Sequence, residues 1–394
     1  MTGVMRRDVL SVALATGTLA LARRSSGRTA EPTLRYKSFR PGQMWLDTAG
    51  KPIQAHGGSL IAVGHDFYWY GENKEFTDGK RGIESWGIRF YRSRDLYNWE
   101  DLGPLIPPDT VDSTSPLSPK VFPERPHILF NPRTRKFVCW IKIRGAGPEY
   151  RAVLTADAIT GPYTMVHRKL NPVGMAAGDF DLVADPLTGK AYMYFEHDHK
   201  ELVCITLNND WTNVTDQYSR HFQRVAPYTK EGLAFFHRRG KLYLTNSGMT
   251  GYFPNPSEVA IADGYDCPFR DLGDLHPTDR SRTSFNSQIS CIFQHPRRRD
   301  LYIALADRWL PLIEDEPSFS DGTLSERVRS GIIKATAHPR KALTTEERDG
   351  LIRYSAPLAN VNTSISRYVW LPLSFEGGHP QIRWHDEWRI SDIR

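Results

Sequence analysis

Two glutamates and one glutamine stand just ahead of hydrophobic runs: Glu124 in FPERPH, Glu231 in KEGLAFF and Gln288 in SFNSQISCIF. A polar side chain so placed costs free energy unless a partner or a ligand satisfies it. Two further stretches repeat the arrangement, IQAHGG with Gln54 and His56 and AAGDFDL with Asp179 and Asp181. Asp179 and Asp181 lie two apart and share one face of a strand, while Phe180 and Leu182 point the other way. Five equivalent placements fit one common site better than five separate capped turns. A pit holding several carboxylates and ringed by aromatics suits carbohydrate, whose C–H faces lie on rings and whose hydroxyls bond carboxylates and amides. Hydrolysing a glycosidic bond needs one carboxylic acid to protonate the leaving oxygen and a second group to activate water. Crowded carboxylates raise one another's pKa, which keeps one protonated near neutral pH. Trp69, Tyr70, Trp86, Tyr252 and Trp309 are the candidate stacking rings.

The elements that must position these residues are strands. Five stretches share one form, an apolar strand, a polar turn and an aromatic-rich strand: GSLIAVGHDFYWYG, HILFNPRTRKFVCWI, FDLVADPLTGKAYMYF, GLAFFHRRGKLYLTN and ISCIFQHPRRRDLYIAL. Their turns carry Asn-Pro, Asp-Pro, Gly or consecutive charges, as hairpin connections require. Several are followed by a weaker strand pair, as in IRFYRSRDLYNWEDLG, RAVLTADAITGPYTMV and EVAIADGYDCPFRDLG. Five units at roughly 50–70-residue spacing predict an all-β fold, a five-bladed β-propeller, rather than a two-sheet sandwich with shorter and more even strand spacing. In a propeller the first strand of every blade faces the axis, so the five polar strand entrances converge. No clean helical period is read beyond the N-terminus. The tail YVWLPLSFEGGHPQIRWHDEWRI closes the last blade.

Composition agrees: 40% apolar, 24% charged and 11% aromatic residues in 394 is a globular balance. Arg6-Arg7 ahead of the short apolar run VLSVALATGTLALA reads as a Tat-type signal peptide over residues 1–30, too short to span a bilayer. The remainder, 34–394, reads as one propeller domain, exported to the periplasm or medium, without a membrane anchor and monomeric. Residues 1–29 hold five Arg against one Asp, so only +2 of the net +6 belongs to the rest of the chain. That charge has no basic stripe, which argues against nucleic acid as a partner. The four cysteines, Cys139, Cys204, Cys267 and Cys291, show no metal-ligand spacing, and three sit in apolar runs as small buried hydrophobes. His197 and His199 flank Asp198 without an identifiable third ligand, so no metal is assigned. Arg297-Arg298-Arg299 reads as an exposed turn.

With IQAHGGSL, YWYGENK, DLYNWEDLG, FPERPHILFNPRTRKFVCW, GPYTMV, KEGLAFFHRRGKLYLTNSGMTGYFPNP, TSFNSQ, ADRW and YVWLPLSF in this order, the chain resembles the family 43 glycoside hydrolases, in particular their exo-β-1,3-galactanase-like subgroup. The resemblance implies a five-bladed propeller that releases terminal sugar from an oligo- or polysaccharide, with inversion and without a cofactor, although a structural cation in the channel is compatible with it. It implies that Glu231 is the general acid. It places Gln288 on the water side of the sugar, as an imidic acid or a water-orienting amide, because the Asp base usual at blade one is absent from IQAHGG. Glu124 would tune Glu231 or share the base function, and Glu72, Asp179 and Thr250 would hold the terminal sugar. Asp181, Gln54, His56 and Trp309 complete the expected binding set. Two departures touch the identity of the sugar: Glu231-Gly232-Leu233 lacks a proline found in relatives, and His127 stands where the subgroup has lysine. Arabinofuranose, galactofuranose or xylose are the alternative sugars. A non-catalytic sugar-binding propeller is the alternative class, and a sucrose- or fructan-hydrolysing propeller a third, for which Asp66 is wrongly placed in a hairpin turn.

Overall fold

Alternation of inward and outward side chains produces the architecture. A computed structural model of the chain describes residues 35–223, 230–338, 340–355 and 360–393. Each expected hairpin forms and is extended by two more strands, giving five antiparallel four-stranded sheets, each built from strands consecutive in the chain. The innermost strands are His56–Val63, Phe122–Asn131, Phe180–Ala184, Glu231–Arg238 and Gln288–Gln294. Each touches the next, and the last touches the first, which closes the ring of a five-bladed propeller. The tail supplies the two outer strands of blade five, Arg367–Glu376 and His379–Ile382. Phe39 and Trp388 lock the two ends of this unit by a reciprocal pair of backbone hydrogen bonds, 2.9 and 3.1 Å. The leader expected at 1–30 lies outside the described residues, as do 224–229. No described helix is long and apolar enough to cross a membrane.

Aromatics fill the seams between blades. Trp69, Trp99, Trp370 and Trp388 are fully buried where blades one and five meet. The Trp370 ring lies 4.6 Å from Trp69 and 5.1 Å from Trp45. Two expected stacking rings are therefore core: Trp69 belongs to this cluster, and buried Tyr70 accepts a hydrogen bond from Ile128 N (2.9 Å). Replacing Trp370 by alanine should lower the unfolding free energy by about 3–5 kcal/mol, read by denaturant titration, because the seam cannot collapse around so large a void.

Helix is present where none was read. Between the second and third strands of blade five lies an insertion carrying the helix Thr323–Ala337 and shorter turns around it. Leu324, Val328 and Ile332, four apart, form its single apolar stripe and pack with Phe253, Ile313, Phe319 and Tyr354. Three residues among Ser, Arg, Glu and Lys make too thin a stripe to stand out in a sequence dominated by strand alternation. All four cysteines are free thiols.

Candidate active site

The innermost strands do not enter the sheet smoothly. In blades one, two and four the ladder slips by a bulge just after the polar residue, between His56 and Ser59, Glu124 and His127, and Glu231 and Ala234. The next residue has positive φ in each: Gly57 at 55°, Arg125 at 48° and Gly232 at 60°. Such bulges re-aim side chains at strand ends. Glycine is required at two of them by contact as well as by φ. A Cβ on Gly57 would sit 2.3 Å from Glu72 Oε1, and one on Gly232 2.9 Å from Ser247 Oγ and 3.2 Å from Gln288.

These entrances surround a cavity of about 270 Å3, and Glu72, Glu124, Asp179, Glu231, Gln288 and Trp309 all line it. Gln288 is held on both sides of its amide. Its Oε1 accepts from Arg125 Nη2 (2.7 Å), and its Nε2 donates to Ser247 Oγ (3.0 Å) and Glu231 Oε1 (3.4 Å). It does not bond the Asn286 amide, which instead donates to Leu310 O (3.1 Å). Arg125 does not pair with its neighbour Glu124. Its Nε meets Asp179 Oδ2 at 2.8 Å, and its backbone N–H donates to Glu72 Oε1 (3.2 Å). Glu124 is gripped by Arg144 Nη2 (2.5 Å) and Lys142 Nζ (2.9 Å). Lys142 also reaches Asp179 Oδ1 at 2.8 Å.

The charges divide the carboxyl groups into two kinds. Burial, then the nearby Asp179 carboxylate, pushes Glu231 up to about 8, so it is protonated at neutral pH. Glu124 is pulled down to about 2: burial opposes ionisation, but Lys142 and Arg144 outweigh it. Asp179 is held below the ordinary carboxylate range against burial by Arg125 and Lys142. Burial raises Glu72 against the pull of Lys74, whose Nζ lies 2.8 Å from Glu72 Oε2. The cavity thus sets a neutral Glu231 beside the ionised Glu124 and Asp179, an arrangement that can donate a proton to a leaving oxygen. If Glu231 donates that proton, turnover must fall as pH rises through about 8, where the group loses it. A pH–rate profile flat across that range would exclude it.

Four expected binding residues lie behind the wall. Fully buried His56 places Nδ1 3.0 Å from Asp307 Oδ1 and Nε2 3.3 Å from the Tyr368 hydroxyl, and its ring stacks on Tyr368 at 4.8 Å. Gln54 donates to Ser364 O (3.1 Å). Asp181 is one strand step deeper than Asp179, where it accepts from Phe235 N (2.8 Å) and meets His127 Nδ1 at 3.1 Å. Burial raises Asp181 to about 7 and lowers His127 to about 3. Thr250 Oγ1 donates to Phe253 O (2.5 Å) and accepts from Asn255 Nδ2 (2.6 Å), so it shapes a loop. Of the remaining aromatic candidates, Tyr252 lines the cavity at 5.1 Å from Trp309, whereas Trp86 packs on Phe76.

Lys142, Arg144, Glu149, Glu196 and Met249 also line the cavity and were not singled out in the sequence, and His199, weighed there only as a metal ligand, lines it too. Lys142 and Arg144 did leave a signal: in KFVCWIKIR two cations alternate at the end of an otherwise buried strand. His197 and His199 turn to different partners, Glu201 Oε1 (3.0 Å) and Glu196 Oε1 (3.2 Å). Among the described residues no group of three or more His, Cys, Asp or Glu is arranged to hold a metal.

Solved structures share this fold. A family 43 β-1,3-galactosidase is 25% identical with a TM-score of 0.70; the alignment covers 90% of this chain and 64% of that one. An exo-β-1,3-galactanase from Phanerochaete chrysosporium, solved with galactose, is 25% identical with a TM-score of 0.69, covering 90% and 68%. A second family 43 β-1,3-galactosidase, solved with galactodeoxynojirimycin, is 24% identical with a TM-score of 0.69, covering 89% and 100%, and bears on the fold alone. This chain thus spans less than two thirds of the first of these. No curated protein matches it. Residues 51–271, more than half of the 394, match the family described as Glycosyl hydrolases family 43. That span holds four of the five strand entrances that build the cavity, and the protein belongs to the glycosyl hydrolases of family 43.

Proposed function

We propose that the protein removes terminal galactose from β-1,3-linked galactan by hydrolysis with inversion at the anomeric carbon. The observation that carries this reading is the Glu231 carboxyl, pushed up to about 8 on the wall of a cavity fit for a single sugar ring. At about 270 Å3 the space lies below the roughly 300–1,000 Å3 of drug-sized ligand pockets, which favours a chain end over an internal segment. The galactose assignment is supported by the β-1,3-galactosidase and exo-β-1,3-galactanase neighbours. Tyr252 and Trp309 offer rings for the apolar sugar face, and Asp179 and Glu72 accept hydroxyl hydrogen bonds.

In this mechanism Glu231 donates its proton to the glycosidic oxygen as the bond to the anomeric carbon lengthens. Water attacks from the opposite face, and its proton passes to a carboxylate. Gln288 orients that water rather than taking its proton, which requires its Nε2 to leave Glu231 Oε1, 3.4 Å away, as the sugar enters. The Arg125 guanidinium at 2.7 Å stabilises the partial negative charge on Oε1, which favours the amide over the imidic acid. Glu124 remains ionised to accept the proton, weakly, given its value near 2. A twin-arginine leader, as read at 1–30, would put the reaction outside the cytoplasm.

Incubation with β-1,3-galactotriose, followed by proton NMR in the first minutes, tests the reading. Released galactose should appear first as the α anomer. Initial β-galactose would overturn inversion. Release of arabinose or xylose from their own aryl glycosides, with no galactose from the triose, would overturn the substrate.

A further inference from the structure

A left-handed turn leads into Gln288. Ser284, Phe285 and Asn286 have φ of 56°, 58° and 54°. L-residues visit this region singly rather than in runs, and a bulky residue such as Phe285 is rare there. Strain of this kind persists only where the surroundings over-determine the conformation, and it gathers at functional sites. The turn ends two residues before the amide that orients the attacking water.

The surroundings supply that over-determination bond by bond. Ser284 is tied to blade four, its Oγ accepting from Ser257 N (2.7 Å) and donating to Asn255 O (2.8 Å). Its carbonyl accepts from Ser287 Oγ (2.6 Å). Phe285 N donates to Asp279 Oδ2 (3.0 Å), and Asn286 N to Thr283 Oγ1 (3.1 Å). The other two carbonyls both go to Arg308, whose Nη2 donates to Phe285 O (2.9 Å) and whose Nε donates to Asn286 O (3.3 Å).

Arg308 ends the second strand of blade five, Tyr302–Arg308, and is buried. Its third nitrogen, Nη1, meets Glu314 Oε1 at 2.9 Å, and Gly42 packs so closely on the guanidinium that no side chain fits there. A planar fork can hold two carbonyls and a carboxylate at once in fixed geometry, which the single ammonium of lysine does not match. Its chain neighbours reach the site directly: Asp307 pairs with Gln288 in the ladder, and Trp309 lines the cavity. Arg308 instead holds the turn that sets where Gln288 begins. On the galactan-hydrolysing reading above, we infer that Arg308 is a positioning residue: by gripping the Phe285 and Asn286 carbonyls it keeps the turn left-handed and so aims the Gln288 amide at the attacking water.

A double-mutant cycle separates aiming from plain support of the fold. In R308K, which keeps the charge without the fork, kcat on β-1,3-galactobiose should fall about tenfold, with KM changed less than about twofold. In a Q288A background the same substitution should cost less than about twofold, because no amide remains to aim. Equal losses in both backgrounds, or no loss in the parent background, overturn the proposal. The thermal midpoint reports that each variant is folded. If R308K does not fold, the cycle uses E314A, which removes a half-exposed carboxylate and loosens the guanidinium. Its loss should be about threefold in the parent background and absent with Q288A; equal losses, or none, overturn the proposal. If the parent leaves galactobiose intact, the galactose reading fails by itself, and the cycle is run on the aryl arabinofuranoside or xyloside that the parent does cleave. A parent that cleaves none of these overturns both.

Discussion

Turnover of β-1,3-galactobiose by E231Q should be about 10²–10⁴-fold slower than by the parent, with KM little changed. The amide keeps the shape of the carboxyl and its contact with Gln288, so binding survives while the proton that must reach the leaving oxygen is gone. The loss has a diagnostic dependence on the leaving group. A 2,4-dinitrophenyl galactoside departs as a stable phenolate and hardly needs protonation, so its hydrolysis should fall far less. Equal losses on both substrates would mean that Glu231 supports the site without donating a proton. The same physics explains why this carboxyl is suited to the task. Burial and Asp179 raise it, while Lys142 and Arg125 restrain it at about 8. Below about 8 it is therefore neutral while Glu124 and Asp179 are ionised.

Substitution of Arg125 by methionine should cost about 3–5 kcal/mol in stability, because it strips a partner from a buried ion pair. It leaves Asp179 to Lys142 and the Gly232 N–H alone, and frees Gln288 Oε1. In the fraction that folds, kcat should fall about 10²-fold, since a mis-set amide no longer orients water. The pH profile supplies a readout that misfolding cannot mimic. Arg125 holds the Glu231 pKa down, so removing it must move the alkaline limb upward from about 8. A limb that stays in place, or moves to lower pH, would show that Arg125 does not act through Glu231. Stability is followed by denaturant titration and the limb by kcat/KM against pH.

Both predictions turn on residues that the sequence revealed to different degrees. Glu124, Glu231 and Gln288 were legible because each interrupts a strand pattern at its start, and strand starts in a propeller lie around one axis. Arg125 was visible only as the neighbour of Glu124. Its positive φ turns it instead toward Asp179 and Gln288, in blades three and five. His56 and Asp181 show the converse error. Both alternate inward as expected, yet depth along the axis decides whether an inward side chain meets the cavity or a neighbouring blade. His56 meets Asp307 and Tyr368, and Asp181 meets His127.

Local order was therefore written in the chain. Period-two alternation, turn residues and repeat spacing act over a few residues at a time, and they determined the five blades and which segments point to the axis. The helical insertion escaped because its apolar stripe is short and makes sense only against Phe253 and Tyr354, distant in sequence. Tertiary structure alone decided which carboxyl is neutral, because a pKa depends on burial and on charges brought within a few ångströms from other blades. Glu231 and Glu124 are the same amino acid at equivalent strand entrances, and Lys142 with Arg144 around one and Asp179 beside the other drive them in opposite directions.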